Sequence, residues 1–248
     1  MSNRNKINVL VLTGDGVNCE NETARAFKLC GVNTQIMHVN ELEGKNDVLK
    51  TFHILALPGG FSFGDELGSG KVFSLKLQKY LGEEIRHFVK TGHPVIGICN
   101  GFQVLTKLSL FTEKPNTVGL APNNHGNFMN KWATLNVEPN KSIWLKGIKN
   151  LRLPIRHGEG RFVFNDLGGV DLESFKRKGM VALTYQDNPN CSTGDIAGVC
   201  DESGLVFGLM PHPEAAVKEE LYPGGEIVGD PGLKIFENAV NYVEENLF

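Results

Sequence analysis

The stretch VIGICNGFQVLTKLSL, residues 95–110, decides the fold of this 248-residue chain. Its first four residues, Val95–Ile98, form an apolar run that predicts a strand buried on both faces of a sheet. Gln103–Leu110 has helical periodicity and predicts the helix that follows. Cys99 lies in the turn between them, with a glycine two residues before it and another two residues after it. The stretch therefore predicts a strand, a sharp turn and a helix, which is the unit of an α/β sheet.

Further apolar runs and helical segments alternate along the N-terminal half of the chain. We expect strands at Ile7–Thr13, Asn33–His38 and Phe52–Leu57, and helices at Glu20–Cys30 and Phe73–Thr91. This order predicts a doubly wound, mostly parallel sheet that binds ligands at the carboxyl ends of its strands.

The C-terminal half has a different pattern, with short strands and turns between Val118 and Leu209. The expected strands include, for example, Trp132–Val137, Arg161–Phe164, Val181–Tyr185, Ile196–Cys200 and Leu205–Leu209. We interpret them as an antiparallel extension of the sheet, followed by a closing amphipathic helix at Leu233–Asn246. Because no repeat or linker interrupts the chain, we expect one domain over residues 1–248.

The composition excludes several classes of protein. A net charge of −3 provides no basic excess for a nucleic-acid surface, and no apolar run approaches the roughly 20 residues that cross a bilayer. The polar N-terminus, Met1–Lys6, is not typical of a secretory signal. The five cysteines include no C-x-x-C pair, which argues against a disulfide framework and a thiolate zinc site. We expect a cytoplasmic protein with reduced thiols, no metal, and no nucleic-acid or membrane partner. Cys19 does not lie in a glycine-flanked turn like that of Cys99, and we expect it to be structural or interfacial.

Cys99 is a candidate nucleophile because of its place in the turn. The segment Gly97-Ile98-Cys99-Asn100-Gly101 has the strand–turn–helix arrangement that, with serine, forms the nucleophile elbow of hydrolases. The positive end of the helix dipole favours the thiolate form of a cysteine there, and the backbone N–H of Asn100 is placed to stabilise an oxyanion. A buried structural cysteine is the alternative, and the elbow alone leaves both interpretations open.

His212 and Glu214, in the segment Pro211-His212-Pro213-Glu214, are the candidate base and its orienting group. A thiol nucleophile needs a proton acceptor that later protonates the leaving amine. In an extended chain residues i and i+2 face the same side, so the carboxylate can hold the imidazole in one tautomer. Alone, the segment would also fit a rigid turn with exposed side chains. Together with Cys99 it favours a catalytic triad.

Pro58-Gly59-Gly60 ends the third predicted strand. Residues without side chains let backbone N–H groups approach a substrate oxygen, so Gly59 and Gly60, with Asn100, are the candidate oxyanion hole. A simple turn is the alternative. The glycines that follow do not form a phosphate-binding loop, because Gly70-Lys71 is followed by valine rather than serine or threonine.

Three segments in this order resemble the class I glutamine amidotransferase family: Pro58–Gly60, Gly97–Gln103 and His212–Glu214. Within that family, longer segments resemble the glutaminase subunits of phosphoribosylformylglycinamidine synthase. They are Asn18–Glu22, Phe61–Asp65, Gly97–Gln103, His157–Arg161 and Gly208–Glu214. The resemblance extends from about the first strand to the last helix, and it implies a flavodoxin-like doubly wound sheet.

The resemblance also implies a reaction and partners. Cys99 would attack the side-chain amide of L-glutamine, His212 would shuttle protons, and Glu214 would orient His212. Gln103, one helical turn after Cys99, is expected to contact the glutamine. The ammonia would pass to a large synthetase subunit that uses ATP and Mg²⁺ to make formylglycinamidine ribonucleotide in purine biosynthesis, with a small accessory subunit in the complex. No cofactor is expected in this chain.

Some residues depart from the family pattern or have no assigned role. Ala215 stands where the family usually has arginine, and Glu66–Lys71 is atypical; both bear on docking to the partner rather than on the chemistry. The sequence assigns no role to His157, Glu159 or Arg161. Three positions stay open for them: the lining of the cleft, the surface that faces the partner, and a solvated turn.

Two alternative functions stay open at this point. A glutaminase of this kind would also suit a synthetase for a pyridoxal, guanine or histidine precursor. The second alternative is a non-enzymatic protein with the same flavodoxin-like sheet and a reactive elbow cysteine, which would not need the H-x-E segment at His212.

Overall fold

The computed structural model describes residues 3–45, 47–165, 169–227 and 229–248, so the first two residues of the polar N-terminus lie outside it. In chain order the strands are β1 (Asn8–Thr13), β2 (Asn33–His38), β3 (Ile54–Leu57), β4 (Val95–Ile98), β5 (Val118–Pro122), β6 (Met129–Val137), β7 (Asn150–His157), β8 (Glu159–Phe164), β9 (Val181–Tyr185), β10 (Ile196–Cys200) and β11 (Val206–Leu209). Nine of them form one sheet in the order β2-β1-β3-β4-β11-β10-β9-β6-β7, and β5 pairs with β8 in a separate ribbon.

The sheet has a parallel half and an antiparallel half. β2, β1, β3, β4 and β11 pair in parallel. β11, β10, β9, β6 and β7 pair antiparallel. Every residue of β3 and β4 is buried, as expected where helices cover both faces of a sheet. The predicted doubly wound sheet with an antiparallel extension is confirmed.

The part of the chain that the structure describes contains five α-helices. They are α1 (Glu20–Leu29), α2 (Lys71–Lys90), α3 (Asn100–Lys107), α4 (Leu172–Lys178) and α5 (Leu233–Asn246). The chain moves from β1 to β2 in one direction and from β3 to β4 in the other, so right-handed crossovers place α1 and α2 on opposite faces. Phe27 of α1 meets Phe236 of α5 edge to face, with ring centroids 5.0 Å apart. Among the described residues, no helix has the length and apolar character needed to span a bilayer.

The strand order brings the loops after β1 and β3 together. The chain leaves these two neighbouring strands in opposite directions, which makes a topological switch point. Val17 and Gly60 form an isolated antiparallel bridge across the junction, and the Cys19 N–H donates to the Gly59 carbonyl at 3.2 Å. The carboxyl ends of β4 and β11 lie next along the same edge, so the residues that follow four strands converge there.

The structure contains three elements that were not predicted from the sequence: β5, β7 and α4. Pro154 interrupts the pattern of β7, yet the strand forms because it is the edge of the sheet, where proline is tolerated. Local signals define the short α4. The Asp171 side chain accepts a hydrogen bond from the Ser174 N–H at 2.8 Å, and Gly179 ends the helix in a left-handed conformation.

Candidate active site

Cys99 stands in a strained turn between β4 and α3. Its backbone angles are φ 50° and ψ −105°, outside the regions that residues other than glycine favour. A Cβ at Gly97 would lie 2.6 Å from the carbonyl oxygen of Gly101, and a Cβ at Gly101 would collide with the carbonyl of Leu57. Both flanking glycines are therefore required by space, and the elbow expected from the sequence is present. The helix begins at Asn100, three residues before its predicted start.

The Cys99 thiol lies where the parallel and antiparallel halves of the sheet meet. Cys99 is buried, and its Sγ lies 3.5 Å from the carbonyl oxygen of Arg156 in β7. Asn100 is the first residue of α3, so its backbone N–H has no partner within the helix. This N–H stands beside the thiol, and its use by a substrate oxyanion stays a prediction.

His212 and Glu214 form a buried pair directly after β11. Nδ1 of His212 lies 2.6 Å from Oε1 of Glu214, and each residue is 3% exposed. The His212 N–H donates to the carbonyl of Pro154 at 2.9 Å, which ties the segment to β7. The backbone is extended at His212, but Pro213–Ala215 forms a turn of 3-10 helix. The pair thus forms through this turn rather than along the fully extended chain expected from the sequence.

The pKa of His212 is raised well above its usual value. Burial lowers this pKa, but the Glu214 carboxylate, Cys99 and the Cys19 side chain together outweigh burial. Glu214 occupies Nδ1, whereas Nε2 has no hydrogen-bond partner among the described residues. Nε2 is therefore the atom available for proton transfer, and the pair has the chemistry of an oriented general base.

Gly59 lies at the centre of the site. A Cβ there would be 2.7 Å from Cε1 of His212 and 3.4 Å from both Cys19 Sγ and Cys99 Cβ. Gly60 has φ 148°, and a Cβ there would be 2.7 Å from the backbone of the loop after β1. Both positions require glycine, and the loop lies against the candidate nucleophile. The role of its N–H groups as oxyanion donors stays a prediction.

A buried amide network lies behind the elbow. The Asn100 side-chain amide donates to Gln103 Oε1 at 2.9 Å and to Asp65 Oδ1 at 3.3 Å. Nε2 of Gln103 donates to the carbonyl of Glu159 at 2.5 Å. Both ends of the Gln103 amide are thus engaged with protein groups. The contact between Gln103 and glutamine stays a prediction, and in this structure the side chain joins α3 to β8.

His157, which has no role in the sequence-based prediction, is a buried side chain at the end of β7. It is 2% exposed, and its Nδ1 lies 3.0 Å from Oδ1 of Asn123. Burial lowers the pKa of His157 to about 4, with smaller contributions from His212 and His125. The side chain is therefore an uncharged imidazole at neutral pH, and a solvated turn does not describe it. Its Nε2 has no hydrogen-bond partner among the described residues.

Cys19 is a neighbour of the candidate triad, and the sequence-based prediction missed this proximity. Its Sγ, a ring nitrogen of His212 and a carboxylate oxygen of Glu214 lie within 4.8 Å of one another. Burial raises the pKa of the Cys19 thiol, although the His212 side chain lowers it. We therefore expect a protonated thiol at neutral pH. The one signal in the sequence was its place after β1, because the carboxyl ends of parallel strands share one edge of the sheet.

Comparisons with known proteins identify the family of the chain. Residues 6–243 match the family model of the CobB/CobQ-like glutamine amidotransferase domain. The phosphoribosylformylglycinamidine synthase subunit PurQ of Dehalococcoides mccartyi is 41% identical over 254 residues, with 97% of this chain and 99% of the relative covered. The same subunit of Methanococcus maripaludis is 36% identical over 265 residues, with 94% of this chain and 96% of the relative covered.

A solved structure agrees as well. A chain in the structure of PurLQS from Thermotoga maritima matches with a TM-score of 0.78 and 34% identity, covering 96% of this chain and 99% of that one. The resemblance seen in the sequence motifs is thus confirmed over nearly the whole length, and the chain belongs to the family of CobB/CobQ-like glutamine amidotransferase domains.

Proposed function

We propose that this chain is the glutaminase subunit of phosphoribosylformylglycinamidine synthase and that it hydrolyses L-glutamine through Cys99, His212 and Glu214. One observation carries the proposal: an elbow cysteine stands beside a buried histidine–glutamate pair in a chain that matches PurQ subunits over nearly its whole length. The names of these relatives favour this complex over a synthetase for a pyridoxal, guanine or histidine precursor. Membership of an amidotransferase family argues against the non-enzymatic alternative.

Cys99 starts the reaction as the nucleophile. Its sulfur attacks the side-chain amide carbon of glutamine while Nε2 of His212 takes up the thiol proton. Glu214, 2.6 Å from Nδ1, keeps the ring in place and stabilises the imidazolium that forms. The oxygen of the tetrahedral intermediate accepts hydrogen bonds from the Asn100 N–H and from the loop at Gly59.

His212 then returns the proton to the leaving nitrogen. The C–N bond breaks, ammonia leaves, and a glutamyl thioester remains on Cys99. The same imidazole next removes a proton from water, and the resulting hydroxide attacks the thioester carbon. The C–S bond breaks, the thiol is restored by the proton on His212, and glutamate is released. Each turnover consumes one glutamine and one water.

The ammonia needs an acceptor outside this chain. We place the chain in the cytoplasm, in a complex with a large synthetase subunit and a small accessory subunit, as the PurLQS relative suggests. The large subunit would bind ATP and Mg²⁺ and convert formylglycinamide ribonucleotide into its amidine with the ammonia. Docking to that subunit is the role we propose for the surface around Glu66–Lys71 and Ala215.

The proposal is tested in the assembled complex with Cys99→Ala. Glutamine-dependent amidine formation should fall by a factor of about 10³ or more, because no other group forms the thioester. Activity with free ammonia should be unchanged, since the synthetase does not need the triad. Cys191→Ala, at an exposed thiol, is the control and should retain both activities. Persistent glutamine turnover in the Cys99 variant would show that the nucleophile is another residue.

Labelling locates the nucleophile without a variant. A glutamine analogue that carries an electrophile should add one mass increment to the wild-type chain, and peptide mapping should place it on Cys99. The half-buried Cys19 is the internal comparison, because it lies in the same site. Labelling mainly at Cys19 would overturn the assignment.

A further inference from the structure

The side chains of Cys19, Cys99 and His212 converge on Gly59. Cys19 Sγ lies within 4.8 Å of a His212 ring nitrogen and of a Glu214 carboxylate oxygen. The point where a Gly59 Cβ would stand is 3.4 Å from Cys19 Sγ and 3.4 Å from Cys99 Cβ, and it is 2.7 Å from Cε1 of His212. The reaction proposed above uses Cys99, His212 and Glu214, and it leaves Cys19 without a function.

These side chains are a ligand set for a soft divalent cation. Zinc binds cysteine sulfur at about 2.3 Å and histidine nitrogen at about 2.0–2.1 Å, usually with four ligands. His212 is 3% exposed, and its Nε2 has no hydrogen-bond partner among the described residues. Its Nδ1 is held by Glu214 at 2.6 Å, and a carboxylate on the far nitrogen is how metal-binding histidines are commonly oriented. One imidazole nitrogen is thus oriented and open next to two thiols.

We propose that Cys19, Cys99 and His212 form a binding site for Zn²⁺ that blocks the nucleophile. The ion forms one bond to each sulfur and one to Nε2, any proton that these three atoms carry passes to solvent, and water occupies the fourth position. Tetrahedral bonds of the lengths given above hold donor atoms about 3.4–3.8 Å apart. Cys19 Sγ and a His212 ring nitrogen lie within 4.8 Å of each other, so these two donors need to approach by at most about 1.4 Å. The Cys19 thiol also turns away from Asn18 Oδ1, which now lies 3.3 Å from it.

The expectation of no zinc site was based on sequence spacing, and the proposed ligands lack such spacing. They follow three different strands, β1, β4 and β11, and only the order of the sheet brings them together. Metal binding is independent of the proposed function, but its consequence, reversible inhibition of the glutaminase, rests on that function. A metal-bound sulfur cannot attack an amide, and a metal-bound Nε2 cannot take a proton.

The binding test is a titration of the full chain with Co²⁺, which replaces zinc and reports thiolate ligands by a sulfur-to-cobalt charge-transfer band. We expect a band for two thiolates in the wild type. Cys19→Ser should lose half of the band and bind Co²⁺ at least about tenfold more weakly. Removing a residue that only orients a metal ligand already weakens metal affinity about 10–100-fold, so removing a ligand should weaken it at least as much. Cys191→Ser is the matched control and should leave the band unchanged. Equal cobalt binding by wild type and Cys19→Ser would overturn the proposal.

A second measurement needs no variant to fold. Wild-type chain is alkylated with and without Zn²⁺, and the modified cysteines are counted by peptide mapping. Zinc should protect Cys19 and Cys99 together and leave the exposed Cys191 reactive. If zinc leaves the alkylation of Cys19 unchanged, the site does not exist.

The activity test separates this site from the proposed function. Zinc should inhibit glutamine-dependent turnover by the complex, and a chelator should restore the activity. Half-maximal inhibition of Cys19→Ser should need at least about tenfold more zinc than that of the wild type, with each rate compared with its own zinc-free rate. A chain that binds cobalt through two thiolates but shows no glutaminase activity would retain the metal site and refute the function. Equal inhibition of Cys19→Ser and wild type would refute the site.

Discussion

Two regions along one edge of the sheet shift the pKa values of buried histidines in opposite directions. After β11, His212 has the Glu214 carboxylate 2.6 Å from its Nδ1, and its pKa is raised well above the usual value despite burial. At the end of β7, His157 has the neutral Asn123 amide 3.0 Å from its Nδ1, and burial lowers its pKa to about 4. The two residues are 3% and 2% exposed, so the amount of burial does not explain the difference.

The chemical nature of the partner explains it. A buried imidazolium is stable only where an anion accompanies it, whereas a neutral imidazole needs only a hydrogen bond. The hydroxyl of Tyr185 in β9, on the antiparallel side, is another buried group without a hydrogen-bond partner among the described residues. We therefore expect the two regions to respond differently to changes that preserve side-chain size.

The largest effect is expected from Glu214→Gln, which removes the anion and keeps the shape. Nε2 of His212 then becomes a weaker base, and the imidazolium formed during attack is no longer stabilised. By analogy with serine triads, kcat with glutamine should fall by about 10³–10⁴-fold in the assembled complex. Steady-state assays with glutamine and with ammonia measure it, and the ammonia rate should not change.

The same substitution at an exposed ion pair is the control for Glu214. Glu202 lies 2.6 Å from Lys178 Nζ on the antiparallel side, and both side chains are exposed. Glu202→Gln should leave both activities at the wild-type level, because exposed pairs contribute little. A loss smaller than about tenfold in Glu214→Gln would mean that the carboxylate does not create the basic histidine.

The next effect concerns the backbone of the parallel half. In Gly101→Ala the added methyl would collide with the Leu57 carbonyl, so the elbow must shift. Unfolding in urea should show a loss of about 3 kcal/mol or more, accompanied by loss of glutaminase activity. Gly119→Ala in β5 is the matched control, since the nearest atom to its new methyl would be 4.0 Å away. Equal stability of the two variants would show that the elbow has room for a side chain.

The parallel half was the more predictable one from sequence, for a physical reason. Apolar runs and glycine-bounded turns are local signals, and these signals alone locate β4, the elbow at Cys99 and the loop at Gly59. The pair formed by His212 and Glu214 was also predictable, because the two residues are close in sequence. The local pattern therefore contained the proposed triad, apart from the turn at Pro213 that shapes the His212–Glu214 pair.

The remaining features depend on contacts between distant segments. Pro154 hides β7 from a pattern-based prediction, and its place at the edge of the sheet is known only from the strand order. Cys19 lies close to His212 because β1 and β11 belong to the same sheet. The spacing of the two residues in the sequence does not indicate this proximity. The burial of His157 likewise depends on Asn123, which reaches it from the loop after β5.

His157→Gln tests the uncharged histidine through its pH dependence. The unfolded chain takes up a proton at this residue near its ordinary pKa of about 6.5, whereas the folded chain resists until about pH 4. The unfolded state thus binds more protons in this window, and stability falls as the pH is lowered through it, by at most about 3 kcal/mol. The variant lacks this contribution, so its unfolding free energy should vary less over the same window.

The comparison with His125 controls for the type of substitution. His125 is exposed, lies in the neighbouring loop and makes only one of the smaller contributions to the pKa of His157. His125→Gln should therefore change the pH dependence far less than His157→Gln does. Urea unfolding over the window from about pH 6.5 to about pH 4 gives the three curves. If the His157 and wild-type curves run parallel, the histidine is not held in its uncharged form.

The smallest effect is expected at Tyr185, where the test is whether the substitution raises or lowers the unfolding free energy. Tyr185 is 2% exposed and its hydroxyl is unpaired among the described residues, so Tyr185→Phe should raise the unfolding free energy by about 1 kcal/mol. Tyr222 is the matched control, because its hydroxyl donates to the Ala216 carbonyl at 3.0 Å and accepts from the Gly232 N–H at 3.3 Å. Tyr222→Phe should lower the free energy by a similar amount, about 1 kcal/mol. If urea unfolding shows both variants destabilised, the Tyr185 hydroxyl has a partner in solution.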